Sequence, residues 1–78
     1  MRIEREELEK LGFEYIFVDK FKKKINNNTY YLNNGEDTIR LSVLKEKHDD
    51  MDSFLWLYEG SVKDMEDFKI ILKRFYII

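Results

Sequence analysis

The dipeptide Asn34-Gly35 lies between two segments rich in β-branched and aromatic residues, and it constrains the fold more than any other feature of the sequence. Asn-Gly is the preferred pair for a two-residue type I′ turn, because both residue types tolerate a positive φ. The sequence therefore predicts a tight β-hairpin centred on this dipeptide. In the expected register, the cross-strand pairs are Tyr30 with Ile39 and Tyr31 with Thr38.

The rest of the chain supplies further strands and two helices. A short helix is predicted to end at Gly12, because glycine readily adopts the left-handed conformation found after a helix C-terminus. A second, amphipathic helix is predicted near the C-terminus, with Ser61 as a cap that accepts from the amide of Asp64. Residues with the composition or alternation of strands are 13–18, 21–26, 29–33, 36–44 and 54–59.

These elements predict an α+β fold. We expect one domain over residues 1–78, with a short N-terminal helix, a four- to five-stranded antiparallel sheet and a C-terminal amphipathic helix. The strands are expected to follow one another as a hairpin meander, and the C-terminal helix to pack on one face of the sheet. The apolar stripe of that helix is formed by Met65, Phe68, Leu72 and Phe75.

Composition narrows the class of protein. The 78 residues include no cysteine, so stability must come from packing, for which 44% hydrophobic residues supply the material. The net charge of −2 argues against a dedicated DNA-wrapping protein. No apolar run is long enough to cross a bilayer, and residues 1–4 lack the apolar stretch of a signal peptide. We therefore expect a cytoplasmic protein with no membrane partner.

The sequence offers no catalytic constellation. The only histidine, His48, lies in an acidic segment, but the spacing of an EF-hand is missing and one imidazole is too few for a zinc site. The three glycines are scattered, so they cannot form a phosphate-binding loop. We expect a protein that is not an enzyme and that uses no metal or cofactor. The acidic residues of this segment, interpreted as a solvated loop, are Asp49, Asp50 and Asp52.

The last predicted strand is apolar on both sides. Two short helices can cover only one face of a sheet, so the other side of this strand lacks an obvious cover. We expect Leu55 and Leu57 to face the helices, while periodicity alone also allows the two faces to be exchanged. A protein-binding surface is predicted on the opposite side, with the acidic loop as its rim; its core residues are Phe54, Trp56 and Tyr58. In the alternative interpretation, residues 76–78 fold back over this side, or the strand lies centrally in a curled sheet.

A lysine-rich strand invites a second interpretation. Basic side chains neutralise phosphates and nearby aromatic rings stack on bases, so this segment is the candidate for binding nucleic acid. Because acidic segments flank it, we prefer to explain the lysines as the protection of a sheet edge against unwanted pairing. The residues of the nucleic-acid hypothesis are Lys20, Lys22, Lys23, Lys24 and Tyr30.

One further pattern in the sequence resembles a known class of proteins. It consists of Leu8, residues 11–15 before the hairpins, and residues 61–68 at the start of the last helix. Over most of the chain this pattern resembles small orphan proteins of phages and mobile elements of low-GC Gram-positive bacteria, a size class that includes anti-CRISPR proteins. The resemblance implies a protein that binds a host protein in the host cytoplasm and inhibits or modulates it. The alternatives are a self-associating structural protein, as a homodimer, and a weak nucleic-acid binder.

Overall fold

The computed structural model describes residues 2–46 and 53–78 and has the predicted α+β architecture. Five antiparallel strands form one sheet in the order β1-β2-β3-β4-β5, so each strand pairs with its neighbour in sequence. The predicted hairpin meander is therefore confirmed. The elements are α1 (Arg5–Lys10), β1 (Glu14–Phe17), β2 (Lys20–Ile25), β3 (Asn28–Asn34), β4 (Ile39–Lys45), β5 (Ser53–Gly60) and α2 (Met65–Arg74).

The hydrophobic core lies between the helices and one face of the sheet, which we call the helix face. Both helices contribute to a single buried cluster, α1 through Leu8 and α2 through Phe68 and Leu72. These side chains meet the alternate residues of the strands, as expected for a sheet with one covered side. The strand residues buried in the cluster are Phe21, Tyr30, Leu32, Ile39, Leu41 and Val43.

Helix α1 ends at Gly12 as predicted, in a Schellman motif. Gly12 has a φ of 94°, and its amide donates to the carbonyl of Glu9 at 3.0 Å. The amide of Phe13 donates to the carbonyl of Leu8 at 3.0 Å, and both side chains are buried in the core. The chain thus turns from the helix directly into β1 with its terminal carbonyls satisfied.

Helix α2 begins later than predicted and ends in the same way as α1. Its cap is Asp64, whose carboxylate accepts from the amide of Asp67 at 2.9 Å, so the prediction of Ser61 as the cap was wrong. An aspartate three residues before an amide makes the capping contact that was assigned to the serine. At the other end, Tyr76 has a φ of 59°, and the amide of Ile77 donates to the carbonyl of Leu72 at 2.9 Å.

The ends of both helices are joined to the sheet by Lys23. Its ammonium group donates to the carbonyl of Leu11 at 2.7 Å and to the carbonyl of Ile77 at 2.8 Å. Leu11 is the C-cap of α1, and Ile77 is separated from the end of α2 by the two residues Phe75 and Tyr76. A cation is favoured at a helix C-terminus, where unpaired carbonyls carry partial negative charge. One side chain of β2 therefore holds two helices on the same face of the sheet.

The connection between β3 and β4 differs from the predicted turn. It spans residues 35–38 and is closed by a bond from the amide of Gly35 to the carbonyl of Thr38 at 3.0 Å. Tyr30 consequently lies opposite Val43, not Ile39, and Tyr31 lies opposite Ser42, not Thr38. The shift is of four residues, an even number, so every side chain of the β3–β4 hairpin keeps its predicted face.

Asn34 accounts for the longer connection, because it remains in the strand. Its side chain is buried, donating to the carbonyl of Ile3 at 2.7 Å and accepting from the amide of Ile3 at 3.4 Å. These bonds hold the segment before α1 against the sheet. An asparagine whose side chain makes these two hydrogen bonds cannot serve as the first residue of a two-residue turn.

We expect Lys23→Met to lower the free energy of unfolding by about 2 kcal/mol, because two hydrogen bonds from a charged donor are lost. The matched control is Lys22→Met, the neighbouring residue on the other face of the same strand, for which we expect a change of less than about 0.5 kcal/mol. Urea unfolding followed by circular dichroism measures both. Equal losses in the two variants would refute the role assigned to Lys23.

Candidate binding surface on the open face of the sheet

The face of the sheet opposite the helices, here called the open face, is mapped by the strand register. Residues directly opposite one another on antiparallel strands point to the same side. Three rows of side chains cross the open face. The rows are Phe17, Lys20, Asn33, Arg40 and Glu59; Glu14, Lys22, Tyr31, Ser42 and Trp56; and Lys24, Thr29, Leu44 and Phe54.

A β-bulge in β5 decides which aromatic residues reach the open face. Leu41 lies opposite Tyr58, but the next residue, Ser42, lies opposite Trp56, so Leu57 is the extra residue of the bulge. The extra residue reverses the alternation, which places Trp56 on the open face and Tyr58 on the helix face. The predicted grouping of Phe54, Trp56 and Tyr58 on one side was therefore wrong for Tyr58.

Tyr58 stabilises the fold and does not belong to the exposed aromatic surface. Its ring is partly buried against the core, and its hydroxyl donates to the carbonyl of Ser61 at 2.9 Å. Leu55 and Leu57 are on the helix side as predicted, because Leu55 lies opposite the buried Val43 and Leu57 packs against the core. No sequence signal marked the bulge, because strict alternation is the default expectation for a strand.

Phe54 and Trp56 form an exposed aromatic pair. Trp56 is 66% exposed and Phe54 is 49% exposed, and their rings meet edge to face with centroids 5.1 Å apart. The C-terminal residues do not cover them, since Ile77 is buried in the core on the helix side. The alternative in which residues 76–78 fold over the aromatic side was therefore wrong, and so was a central position for this strand, because β5 ends the sheet.

A shallow groove lies beside Trp56 on the open face. Its volume is about 280 Å³, and it runs across the strands from β1 towards β5. Ser42, between Tyr31 and Trp56 in its row, is small and buried, which leaves space between the two rings. The side chains that line the groove include Ile16, Lys20, Tyr31, Arg40, Ser42 and Trp56.

The lysines of β2 are divided between the two faces. Lys20, Lys22 and Lys24 lie on the open face, whereas Lys23 is engaged with the helix ends. Tyr30 is buried in the core, so it cannot stack on a base. The nucleic-acid hypothesis was therefore wrong in including Lys23 and Tyr30.

The placement of β2 also overturns the explanation given for its lysines. This strand is the second in the sheet, between β1 and β3, so it is not an edge.

The cations of the open face differ in whether they are paired. Lys24 pairs with Glu46 at 3.7 Å, and Arg40 pairs with Glu59 at 3.0 Å. Lys20 and Lys22 form no salt bridge with another described residue, although Lys20 lies 5.7 Å from the centre of the Phe17 ring. The open face thus carries two lysines available to an anionic group.

The predicted rim residues Asp49, Asp50 and Asp52 lie outside the described residues, and so does His48. Within residues 2–46 and 53–78, no group of three or more histidine, cysteine or acidic residues is arranged to hold a metal ion. Over the same ranges, none of the helices combines the length and the apolar character needed to span a membrane.

Comparison of the chain with protein-family models, with curated proteins and with solved structures gives no match.

The exposure of Trp56 can be measured directly, because it is the only tryptophan in the sequence. We expect fluorescence emission close to that of a free tryptophan amide, with strong quenching by acrylamide. Iodide should quench more strongly than caesium, because Lys20 lines the same groove and attracts anions. A blue-shifted emission with weak acrylamide quenching would contradict this placement.

Proposed function

We propose that this protein is a non-enzymatic protein-binding module that contacts its partner through the open face, with Trp56 as the main anchor. The observation that carries the proposal is the 66% exposure of Trp56 next to the exposed Phe54, at the edge of a groove. Tryptophan dominates binding hot spots, since a large ring buried in an interface removes much apolar surface from water. Exposed apolar patches on small proteins tend to mark interaction sites.

The surroundings of Trp56 support recognition of a protein surface. The aromatic pair gives an apolar centre, and the salt bridge between Arg40 and Glu59 lies in the adjacent row as a polar border. An apolar centre with a polar rim is the usual anatomy of a protein interface. The resemblance to small phage and mobile-element proteins adds the expectation that the partner is a bacterial host protein, which the binding would inhibit or modulate.

We expect Trp56→Ala to weaken partner binding by roughly 30-fold or more, the effect of losing a hot-spot side chain worth about 2 kcal/mol. The matched control is Tyr76→Ala, since Tyr76 is 86% exposed but follows α2 away from the open face. The measurement is affinity capture from the lysate of a low-GC Gram-positive bacterium, quantified by mass spectrometry for wild type and both variants. Circular dichroism verifies that each variant is folded.

The result that supports the proposal is a captured protein that is lost with Trp56→Ala and retained with Tyr76→Ala. Capture that survives Trp56→Ala in a folded variant would refute the placement of the binding surface on the open face.

Self-association is the second candidate function, and the position of β5 favours it. This eight-residue strand ends the sheet, and exposes Leu55 on one side and Trp56 on the other. An edge strand presents unpaired backbone groups that can pair with a second copy of the chain. The bulge at Leu57 interrupts that edge, which is why binding through the open face is preferred.

Sedimentation velocity separates the two candidates. For a module that binds another protein, we expect a monomer at micromolar concentrations. A dimer that dissociates in a Leu55→Lys variant, with the fold retained, would instead support pairing through β5, because a lysine on an edge strand opposes such pairing.

A further inference from the structure

We propose that the groove on the open face binds an acidic, extended segment of the partner, with an apolar side chain against Trp56 and a carboxylate facing Lys20 and Lys22. This inference rests on the proposed function and specifies the chemistry of what the open face recognises. It follows from the charges on the two sides of the groove and from the distance between them.

The charges at the two ends of the groove differ in their availability. At the β5 end, Arg40 is already paired with Glu59 at 3.0 Å. At the β2 end the groove is lined by Lys20, and Lys22 lies two residues further along the same strand. Neither lysine has a salt-bridge partner among residues 2–46 and 53–78. An incoming carboxylate would therefore find its complementary charge at β2, where electrostatic complementarity fixes the orientation of the segment.

The apolar end of the groove lies on the other side of Ser42. Trp56 lies on β5 beside this small, buried residue, so an apolar side chain at β5 would pack against its exposed ring. The occupant must consequently present an apolar group at β5 and an anionic group at β2.

The geometry of the sheet sets the spacing between those two groups. Strands lie about 4.8 Å apart, so the three intervals from β2 to β5 amount to about 14 Å. An extended chain advances about 3.3 Å per residue, so it covers this distance in about four residues. Alternate residues of an extended segment point to the same side, so an even separation of four places both side chains in the groove. The recognised motif is an apolar residue and an acidic residue four positions apart.

The same features weigh against a nucleic acid as the occupant. Glu59 neutralises Arg40, so a phosphate backbone that crosses the whole face would meet a carboxylate at the β5 end, whereas a single carboxylate at β2 would not. The rings of Phe54 and Trp56 meet edge to face, so they do not form a continuous platform for successive bases.

The test is a selection of short random peptides displayed on ribosomes, retained by the wild-type protein and depleted against Trp56→Ala. We expect the recovered peptides to carry an aspartate or glutamate four positions from an apolar residue. Fluorescence polarisation should show binding about tenfold weaker or more for Lys20→Glu/Lys22→Glu. The control with the same change in net charge is Lys63→Glu/Lys73→Glu, one position before the N-cap of α2 and one in its last turn, for which we expect little effect. Affinity should also fall as salt rises.

The other outcomes each overturn the inference, and they are distinguishable from a failure of the proposed function. Recovered peptides that depend on Trp56 but are neutral or basic would refute the acidic segment and leave protein binding through the open face standing. Recovery of no peptide that depends on Trp56 would refute recognition of an extended segment, while the capture of a folded partner protein tests the proposed function independently. Oligothymidine binding that is tighter than any peptide and lost in Trp56→Ala would assign the face to nucleic acid.

Discussion

The bonds of Lys23 to the ends of both helices are the constraint on which the arrangement of the molecule depends. The ammonium group joins the carbonyls of Leu11 and Ile77 at 2.7 and 2.8 Å, so α1 and α2 are held to the same side of the sheet. Glycine is required at position 12 for two reasons. It has a φ of 94°, and a Cβ added there would lie 3.0 Å from Cε of Lys23. A side chain at this position would strain the backbone and displace the lysine.

Because both helices pack on one side of the sheet, neither of them covers the open face. Alternation along β2 sends Lys23 to the helix face and its neighbours Lys22 and Lys24 to the open face. A single strand thus supplies both the cation that organises the helices and, in Lys20, a cation that lines the groove. The lysine-rich composition of this strand has two separate causes, and an explanation by edge protection accounts for neither of them.

The order of elements and the meander could be predicted from sequence because they depend on local patterns: the helix stop at Gly12, the alternation in β4 and the apolar stripe of α2. The errors arose where a distant contact overrides a local preference. Asn34 bonds to Ile3, thirty-one positions away, and this contact changes the turn that Asn34-Gly35 favours. The role of Lys23 depends on two carbonyls in other elements. The bulge in β5 changed the candidate site, because one extra residue moves Tyr58 to the opposite face.

The energetics of so small a domain give the exposed ring pair its significance. Burying a large apolar side chain contributes roughly 1.5–3 kcal/mol, and small domains have about 5–15 kcal/mol of stability in total. Leaving both Phe54 and Trp56 on the surface therefore forgoes a sizeable fraction of what the domain could gain by covering them. A partner that covers the rings would recover this free energy as affinity. The bulge supports the same interpretation, because it presents Trp56 on the open face and interrupts the edge through which β5 would otherwise pair with another strand.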